Sequence, residues 1–371
     1  MSTEKVLMKG NEAIAEAAIR AGCTAYFGYP ITPQNEIPAY MSKHMLEKGR
    51  IFIQAESEIA SMVMVYGASC AGARAMTSSS SPGISLKQEC ISYAAGADVP
   101  CVIVNVSRGG PGLGSIAPAQ GDYFQSTRGG GHGDYYTIVL APKSVQECAD
   151  FTYQAFDLAD KYRIPVLILA DGMIGQMAEG VILPPERPLN ELPKRDWTAG
   201  KMAGRAARHI TSINLVPDEL EAKTKARFER YELIKKNEVR FEEMNTDGAD
   251  LILTAYGTCA RVSFGAMKLA EKAGIKLGFF RPITLWPFPY EALGKIGEKG
   301  KPILTVEMSL GQMVEDVRLA VKDKVPVHLL GHTGGVIPTE EEVFKKIKEI
   351  HENGDLITDP YKAYEQANWR G

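Results

Sequence analysis

Polar side chains that could do chemistry stand directly after three predicted strands of this sequence. Thr32 follows the first predicted strand of the chain, within Gly-Tyr-Pro-Ile-Thr-Pro at residues 28–33. Glu58 follows the second strand and opens a small, almost uncharged helix, and Arg108 follows the fourth strand in a glycine-rich stretch. Ligands of parallel α/β sheets bind outside the carboxyl ends of the strands. A guanidinium there suits carboxylate recognition, and a carboxylate leading a buried helix is a candidate desolvated functional acid.

Each of these features also has an ordinary structural explanation. Thr32 could simply cap the following helix, and Glu58 could simply favour the positive end of its helix dipole. The hydroxyl-rich turn Thr-Ser-Ser-Ser-Ser-Pro-Gly at 77–83 could be a plain loop, or its backbone amides could hold a polar ligand or an anion. The sequence pattern alone leaves both explanations open.

Two common nucleotide-binding motifs do not fit the chain. Gly112, Gly114 and Ala117 match the spacing of a dinucleotide fingerprint, but they start several residues after the strand and run into Pro118 instead of a helix. No Gly-Lys-Ser/Thr sequence is present, which excludes a P-loop. The loop therefore reads as a flexible glycine segment that carries one cation, Arg108.

Composition narrows the class of protein further. The 371 residues predict two or three domains, and the net charge of -3 argues against nucleic-acid binding. No apolar run approaches a membrane span and the N-terminus shows no secretory signal, so we expect a cytoplasmic protein. The 6 cysteines and 6 histidines are scattered without ligand spacing, which predicts no metal site held by this chain alone.

The elements that position these residues form an α/β pattern. Across 1–185, short apolar strands alternate with helices, which predicts right-handed βαβ units and a doubly wound parallel sheet. The segment 186–245 is rich in proline and then in charge, and we expect a linker followed by one long helix over about 218–244. From 246 to 371 the alternation resumes, which predicts a second, smaller α/β domain.

The motifs at 28–33, around Glu58, at 77–83 and in Ser-Arg-Gly-Gly-Pro-Gly from 107 together resemble the alpha subunit of the 2-oxoacid:ferredoxin oxidoreductases. The resemblance covers nearly the whole chain. It implies a thiamine-diphosphate-binding pyrimidine domain followed by a transketolase C-terminal-like domain. It also implies that Glu58 hydrogen-bonds the aminopyrimidine ring of thiamine diphosphate and favours the imino tautomer that activates the thiazolium carbon.

The resemblance also assigns the remaining site residues. It implies that Tyr29, Pro30, Ser81 and Gly83 contact the cofactor with Glu58, and that Thr32 and Arg108 hold the 2-oxoacid. The reaction implied is oxidative decarboxylation to an acyl-CoA and CO2, with coenzyme A as co-substrate and electrons passing to ferredoxin.

The chain lacks a Gly-Asp-Gly…Asn motif and cluster cysteines, so we expect it to supply half of an active site. The resemblance implies a beta subunit that brings the diphosphate and Mg²⁺ site and a [4Fe-4S] cluster, together with gamma and delta subunits. The segments at 112–124 and 129–135 look closest to the members that act on 3-methyl-2-oxobutanoate, the branched-chain acid also called 2-oxoisovalerate.

Several alternatives stay open. A 2-oxoglutarate enzyme would want a second cation near Arg108, which Arg128, His132 or a partner residue could supply; pyruvate is less favoured. The loop at 331–338 could contact a partner or coenzyme A, or could be a plain turn. The chain could also be a non-catalytic structural subunit or a nucleotide-dependent transferase, although neither explains why Thr32, Glu58 and Arg108 all follow strands.

Overall fold

The computed structural model describes residues 4–322 and 324–353 and contains two main β-sheets covered by helices. In chain order the strands are β1 Val6–Lys9, β2 Ala25–Gly28, β3 Ile51–Gln54, β4 Ala75–Ser79, β5 Cys101–Ser107, β6 Ile138–Leu140, β7 Pro165–Asp171, β8 Ala178–Val181, β9 Gly200–Met202, β10 Arg205–Arg208, β11 Phe241–Met244, β12 Leu251–Thr254, β13 Leu277–Pro282, β14 Thr284–Trp286, β15 Ile303–Glu307 and β16 Val327–Gly331.

The helices fill the connections between these strands. They are α1 Gly10–Arg20, α2 Glu36–Glu47, α3 Glu58–Cys70, α4 Ser81–Gly96, α5 Tyr123–Thr127, α6 Val145–Tyr162, α7 Gly172–Gln176, α8 Pro217–Asn237, α9 Gly257–Lys272, α10 Tyr290–Gly297, α11 Met313–Val321 and α12 Glu340–Asn353. Within the described residues, no helix combines the length and the hydropathy that crossing a bilayer requires.

The first sheet has the order β14-β6-β7-β5-β4-β2-β3 and is parallel except for β14. Strands β5 and β7 are buried along their whole length, as expected for the centre of a parallel sheet with helices on both faces. Helices α1, α2 and α6 pack on one another, and α3 packs against α4. The predicted doubly wound α/β fold is therefore confirmed.

The second sheet has the order β11-β13-β12-β15-β16, with β11 antiparallel to its neighbour. Its core forms between the sheet and helices α9 and α12, around apolar residues such as Leu253, Phe279 and Val343. The sequence predicts strands here near 250–255, 275–280, 303–307 and 327–330, and β12, β13, β15 and β16 lie within two residues of those bounds.

The long charged helix is shorter than expected. It ends at Asn237, and the segment predicted as its last turns forms β11 instead, so the prediction of one helix over 218–244 is wrong. The reason is tertiary: Phe241 to Met244 hydrogen-bond in antiparallel register with β13, and the Phe241 ring stacks on Phe280 at 5.2 Å. Pairing with an existing strand outweighs the helical spacing of apolar residues.

One strand from the second half of the chain belongs to the first sheet, and buried polar contacts join the two halves. Strand β14 lies in the second half of the chain but pairs with β6 of the first sheet. The buried carboxylate of Asp171 accepts hydrogen bonds from the Thr258 amide at 3.0 Å and hydroxyl at 2.6 Å. Gln120 joins the Tyr256 carbonyl and the Met308 amide, each at 2.9 Å. These contacts fix the two halves together; the domain boundaries at 185 and 245 stay a prediction.

Candidate functional site

Glu58 is the first residue of α3, immediately after the edge strand β3. The Ser57 side chain caps the helix by accepting a hydrogen bond from the Ala60 amide at 3.1 Å. Capping is thus provided by Ser57, and Glu58 is not needed for it. Only 7% of Glu58 is exposed, yet its carboxylate makes no hydrogen bond or ion pair within the described part of the chain. A buried carboxylate without a protein partner is a group that a ligand can engage.

The end of β4 and the first turn of α4 pack directly against this carboxylate. A Cβ at Gly83 would lie 2.8 Å from both Cγ and Oε1 of Glu58, and 2.1 Å from Oγ of Ser79. Glycine at this position therefore leaves the space in which the carboxylate sits. The hydroxyls of Ser79 and Ser80 are buried and find no hydrogen-bond partner among the described residues. The end of β4 thus presents two unused polar groups beside Glu58.

Thr32 and Arg108 meet at the neighbouring strand ends. Arg108 donates one hydrogen bond through Nη1 to the Thr32 carbonyl at 2.9 Å and another through Nη2 to the Leu113 carbonyl at 3.0 Å. Its Nε is buried and unpaired in the described residues. The Thr32 hydroxyl accepts from the Asn35 side chain at 3.2 Å, so its own proton stays free to donate. The geometry offers one hydroxyl and one guanidinium at the same edge.

Ser81 connects the β4–α4 turn to the Arg108 loop. The Arg108 amide donates to Ser81 Oγ at 3.0 Å, and this hydroxyl donates to Asp122 Oδ2 at 2.6 Å. The same carboxylate oxygen accepts from Asn105 at 2.7 Å. Ser81 is therefore occupied in holding the loop. Its expected contact with a cofactor stays a prediction.

Tyr29 and Pro30 follow β2 directly, with Tyr29 half-buried and Pro30 exposed. The Tyr29 carbonyl accepts a hydrogen bond from Gln34 at 3.3 Å. No hydrogen bond joins either residue to Glu58 in residues 4–322 and 324–353. The expected contact of these two residues with the cofactor stays a prediction.

The glycine loop is closed on itself and capped by the second half of the chain. The Gly109 amide donates to the Ala117 carbonyl at 2.9 Å, and the Ser115 amide donates to the Gly109 carbonyl at 2.8 Å. Ser115 Oγ reaches the Gly334 carbonyl at 2.9 Å. A Cβ on Gly335 would lie 2.4 Å from Cβ of Ala117. The loop at 331–338, whose role the sequence left open, therefore packs on the loop that carries Arg108.

The loop that carries Arg108 exposes apolar side chains, and its sequence contains no second cation. Leu113 is 79% exposed and Ile116 is 66% exposed. The Arg128 guanidinium is held away by Asp316 at 2.9 Å. His132 is exposed on the following loop. These surroundings suit a substrate with an apolar tail better than one with a second carboxylate.

Lys87 on α4 is a buried charged residue that was not predicted from the sequence. It is 0% exposed, and its ammonium donates to the Glu58 carbonyl at 3.2 Å and to Thr77 Oγ1 at 3.1 Å, and also to Ser61 Oγ. Burial lowers the pKa of Lys87 to about 7. A signal existed in the sequence, since this lysine interrupts the otherwise small and apolar first half of the helix.

The residues present fit the pyrimidine end of thiamine diphosphate. The Glu58 carboxylate, for which Gly83 leaves room, makes no hydrogen bond in the described residues. The hydroxyls of Ser79 and Ser80, at the end of β4, are buried there without a partner. No group of three or more His, Cys, Asp or Glu side chains that could hold a metal ion is found in the described ranges. The polar groups without protein partners in this region are thus one carboxylate and two neutral hydroxyls, which suit hydrogen bonds to an uncharged polar ring.

Comparison with known proteins agrees with this geometry. Residues 16–245 match the family model described as pyruvate flavodoxin/ferredoxin oxidoreductase, thiamine diphosphate-binding. Residues 249–343 match the model described as pyruvate:ferredoxin oxidoreductase core domain II.

Among curated proteins, the chain is 49% identical over 350 residues to ketoisovalerate oxidoreductase subunit VorB of Methanothermobacter marburgensis, covering 94% of this chain and 98% of that protein. It is 37% identical over 363 residues to 2-oxoglutarate synthase subunit KorA of Methanocaldococcus jannaschii, covering 92% and 98%.

Two solved structures are similar. A 2-oxoglutarate:ferredoxin oxidoreductase from Magnetococcus marinus, with 2-oxoglutarate, coenzyme A and succinyl-CoA bound, superposes with a TM-score of 0.80 at 27% identity. The match covers 94% of this chain but only 65% of that longer chain. A split-gene transketolase, described as an inactive beta4 tetramer, superposes with a TM-score of 0.60 at 14% identity over 93% of this chain and 98% of that one, which shows likeness of fold.

Proposed function

The chain belongs to the pyruvate flavodoxin/ferredoxin oxidoreductase family, and from that premise we propose that it is the alpha subunit of a 2-oxoacid:ferredoxin oxidoreductase acting on 3-methyl-2-oxobutanoate. The reaction is oxidative decarboxylation to a branched acyl-CoA and CO2, with electrons passed to ferredoxin. The higher identity to the ketoisovalerate subunit than to the 2-oxoglutarate subunits favours this substrate.

The observation that carries the proposal is the Glu58 carboxylate, which is buried against Gly83 without a protein partner in the described residues. When bound, thiamine diphosphate supplies the electron sink that allows a 2-oxoacid to lose CO2. Glu58 would hydrogen-bond the pyrimidine ring and hold or accept a proton at its carboxylate. The burial of this residue excludes water, which strengthens that interaction.

Thr32 and Arg108 would hold the substrate at the adjoining strand ends. The Thr32 hydroxyl has a free proton to donate, and the unpaired Nε of Arg108 offers a further donor. Both of the other guanidinium nitrogens are fixed by main-chain carbonyls, so the group is already oriented. A preoriented guanidinium suits the carboxylate of a 2-oxoacid.

The surroundings of Arg108 support a branched apolar substrate. Leu113 and Ile116 extend from the same loop, and Arg128 is engaged by Asp316. 2-Oxoglutarate is the second candidate substrate, since a partner residue or His132 would have to supply a cation for its second carboxylate.

Partner subunits complete the site. We propose that a beta subunit carries the diphosphate and Mg²⁺ site and a [4Fe-4S] cluster, that gamma and delta subunits join the complex, and that coenzyme A is the acyl acceptor. The surface of α3 supports a partner beside Glu58, because Ile59, Val63 and Gly67 form a solvent-exposed apolar stripe at four-residue spacing. Leu86 on α4 is exposed as well. We call these four residues the α3–α4 stripe.

Coenzyme A-dependent viologen reduction by the complex that co-purifies with this chain tests the proposal. Under anaerobic conditions, 3-methyl-2-oxobutanoate should be turned over with a higher kcat/KM than 2-oxoglutarate, pyruvate or an arylpyruvate. Preference for 2-oxoglutarate would replace the substrate but keep the reaction class. A complex that holds thiamine diphosphate and reduces viologen with none of these acids would make the chain a non-catalytic subunit.

A further inference from the structure

Lys87 occupies a position where a lysine is costly to keep. Its side chain is fully buried, and the three donors of its ammonium meet three acceptors, namely the Glu58 carbonyl, Ser61 Oγ and Thr77 Oγ1. Burying an ammonium without a carboxylate in direct contact costs far more than burying an apolar chain of the same size. The same space could be filled by methionine, so packing does not account for the charge.

Glu58 is the acidic residue that interacts with the Lys87 ammonium. Of the titratable groups in the described residues, the Glu58 carboxylate on α3 acts most strongly in favour of the ammonium, followed by the Cys90 thiol on the same helix as Lys87. Strand β4, the third element packed here, contributes only the neutral hydroxyl of Thr77. Lys87 therefore interacts electrostatically with the Glu58 carboxylate, although no hydrogen bond or ion pair joins the two side chains in the described residues.

We propose that Lys87 is a positioning residue for Glu58: its ammonium holds the first turn of α3 by hydrogen-bonding the Glu58 carbonyl, and so fixes where the neighbouring carboxylate lies. The inference rests on the proposed function, because it assigns to Lys87 an effect on the cofactor that Glu58 binds. Lys87 acts through Glu58 and does not itself contact cofactor or substrate.

Two connections allow Lys87 to fix the position of Glu58. Ser61 Oγ donates to the Glu58 carbonyl at 2.8 Å, so the same carbonyl is held from α3 and from α4. Gly83, which bounds the space around the carboxylate, lies in the first turn of the same helix as Lys87. One side chain thus ties together the helix that carries the acid and the turn that faces it.

The test is the pH dependence of thiamine diphosphate binding, measured by calorimetry on the cofactor-stripped complex of the full chain with its partners. Lys87→Met should weaken binding about tenfold, because the first turn of α3 loses its tie to α4, and should remove the decline of binding toward alkaline pH that loss of the Lys87 proton causes. It should also lower kcat by about 10- to 100-fold through misplacement of Glu58.

Thr77→Val provides a second variant that keeps the lysine. Removing one acceptor makes the ammonium harder to keep, so the alkaline limb of the binding profile should move to lower pH. Thr254→Val is the matched control, since this threonine is also buried in a central strand and its hydroxyl has no partner among the described residues. Its binding profile should coincide with that of the unaltered complex.

The outcomes separate the two proposals. If the unaltered complex binds no thiamine diphosphate, the proposed function fails and this inference fails with it. If the unaltered complex binds the cofactor and Lys87→Met and Thr77→Val show its pH profile unchanged, only the role of Lys87 is overturned. If Lys87→Met does not fold, the shift or constancy of the Thr77→Val profile still decides the matter.

Discussion

The Arg108 guanidinium donates a hydrogen bond of 2.9 Å to the main-chain carbonyl of Thr32, across a sequence separation of 76 residues. This bond joins the ends of β2 and β5, which are separated in the sheet by β4. It brings the Thr32 residue and the Arg108 guanidinium together and engages Nη1 of the guanidinium. The Nε of the same guanidinium is buried and has no partner in the described residues.

Replacing Arg108 by lysine tests that arrangement. Lysine keeps the positive charge but cannot bond two carbonyls and a substrate at once. We expect KM for the 2-oxoacid to rise about 10- to 100-fold, with a smaller change in kcat, in anaerobic viologen assays. Arg208→Lys, on the exposed hairpin strand β10, is the matched control and should behave as the unaltered complex. An unchanged KM in Arg108→Lys would remove this residue from the substrate site.

Replacing Glu58 by glutamine tests the proposed acid. The amide keeps the size of the side chain but cannot exchange a proton with the pyrimidine ring, so kcat should fall about 10²- to 10⁴-fold. Because the carboxylate makes no hydrogen bond in the described residues, the melting temperature of the isolated chain should change little. Glu56→Gln, on an exposed residue two positions earlier, is the control. Retention of more than half the activity by Glu58→Gln would support a non-catalytic subunit.

Adding one methyl group at Gly83 tests the space next to Glu58. A Cβ there would meet Ser79 Oγ at 2.1 Å and Glu58 Oε1 at 2.8 Å, so Gly83→Ala must displace the carboxylate. We expect the dissociation constant of thiamine diphosphate to rise at least about tenfold. Gly133→Ala is the control, because nothing lies within 4 Å of a Cβ at that position. Equal cofactor affinity in the two variants would show that the carboxylate does not need this space.

The sequence predicted the parts of this site that depend on strand ends. Thr32, Glu58 and Arg108 were found because parallel βα units place the residue after each strand at one edge, and that rule needs no knowledge of distant contacts. Lys87 was missed because a lysine inside a helix ordinarily points to solvent. Only the packing of α4 against α3 shows that this one is buried.

Pairing between distant segments explains the errors in the fold. Strand β11 was predicted as helix because its apolar spacing fits a helix and its partner β13 lies more than thirty residues later. Strand β14 is three residues long and pairs antiparallel with β6 from the other half of the chain. Local patterns carry no information about such pairings. The contact between the loops at 108–117 and 331–338 was unpredictable for the same reason.

The depressed pKa of Lys87 predicts a pH dependence of stability. Burial lowers the pKa from 10.5 to about 7, so between these values the unfolded chain binds one more proton than the folded chain. The stabilising contribution of the neutral amine is therefore complete above about pH 10.5 and is lost as the pH falls through about 7.

Urea unfolding of the full chain should show this effect when compared with Lys87→Met. Between pH 7.5 and 9 the unaltered chain should gain about 2 kcal/mol of unfolding free energy relative to the variant. Buried thiols that do not interact with Lys87, such as Cys23 and Cys148, have pKa values raised by burial, are common to both proteins and cancel in the difference. Parallel stability curves would mean that Lys87 titrates as an ordinary lysine in the folded chain.

Charging the α3–α4 stripe tests whether a partner covers it. Val63 is 51% exposed, so Val63→Glu should leave the chain folded, with an unchanged melting temperature. In the complex the new carboxylate would be buried against an apolar surface without a counter-charge, which disfavours association. Co-purification of partner subunits should therefore fall about tenfold or more. Leu233→Glu on α8 is the matched control, because Leu233 is 55% exposed and lies outside the stripe. If Val63→Glu and Leu233→Glu retain partners equally, the partner binds another face and the exposed residues beside Glu58 need a different explanation.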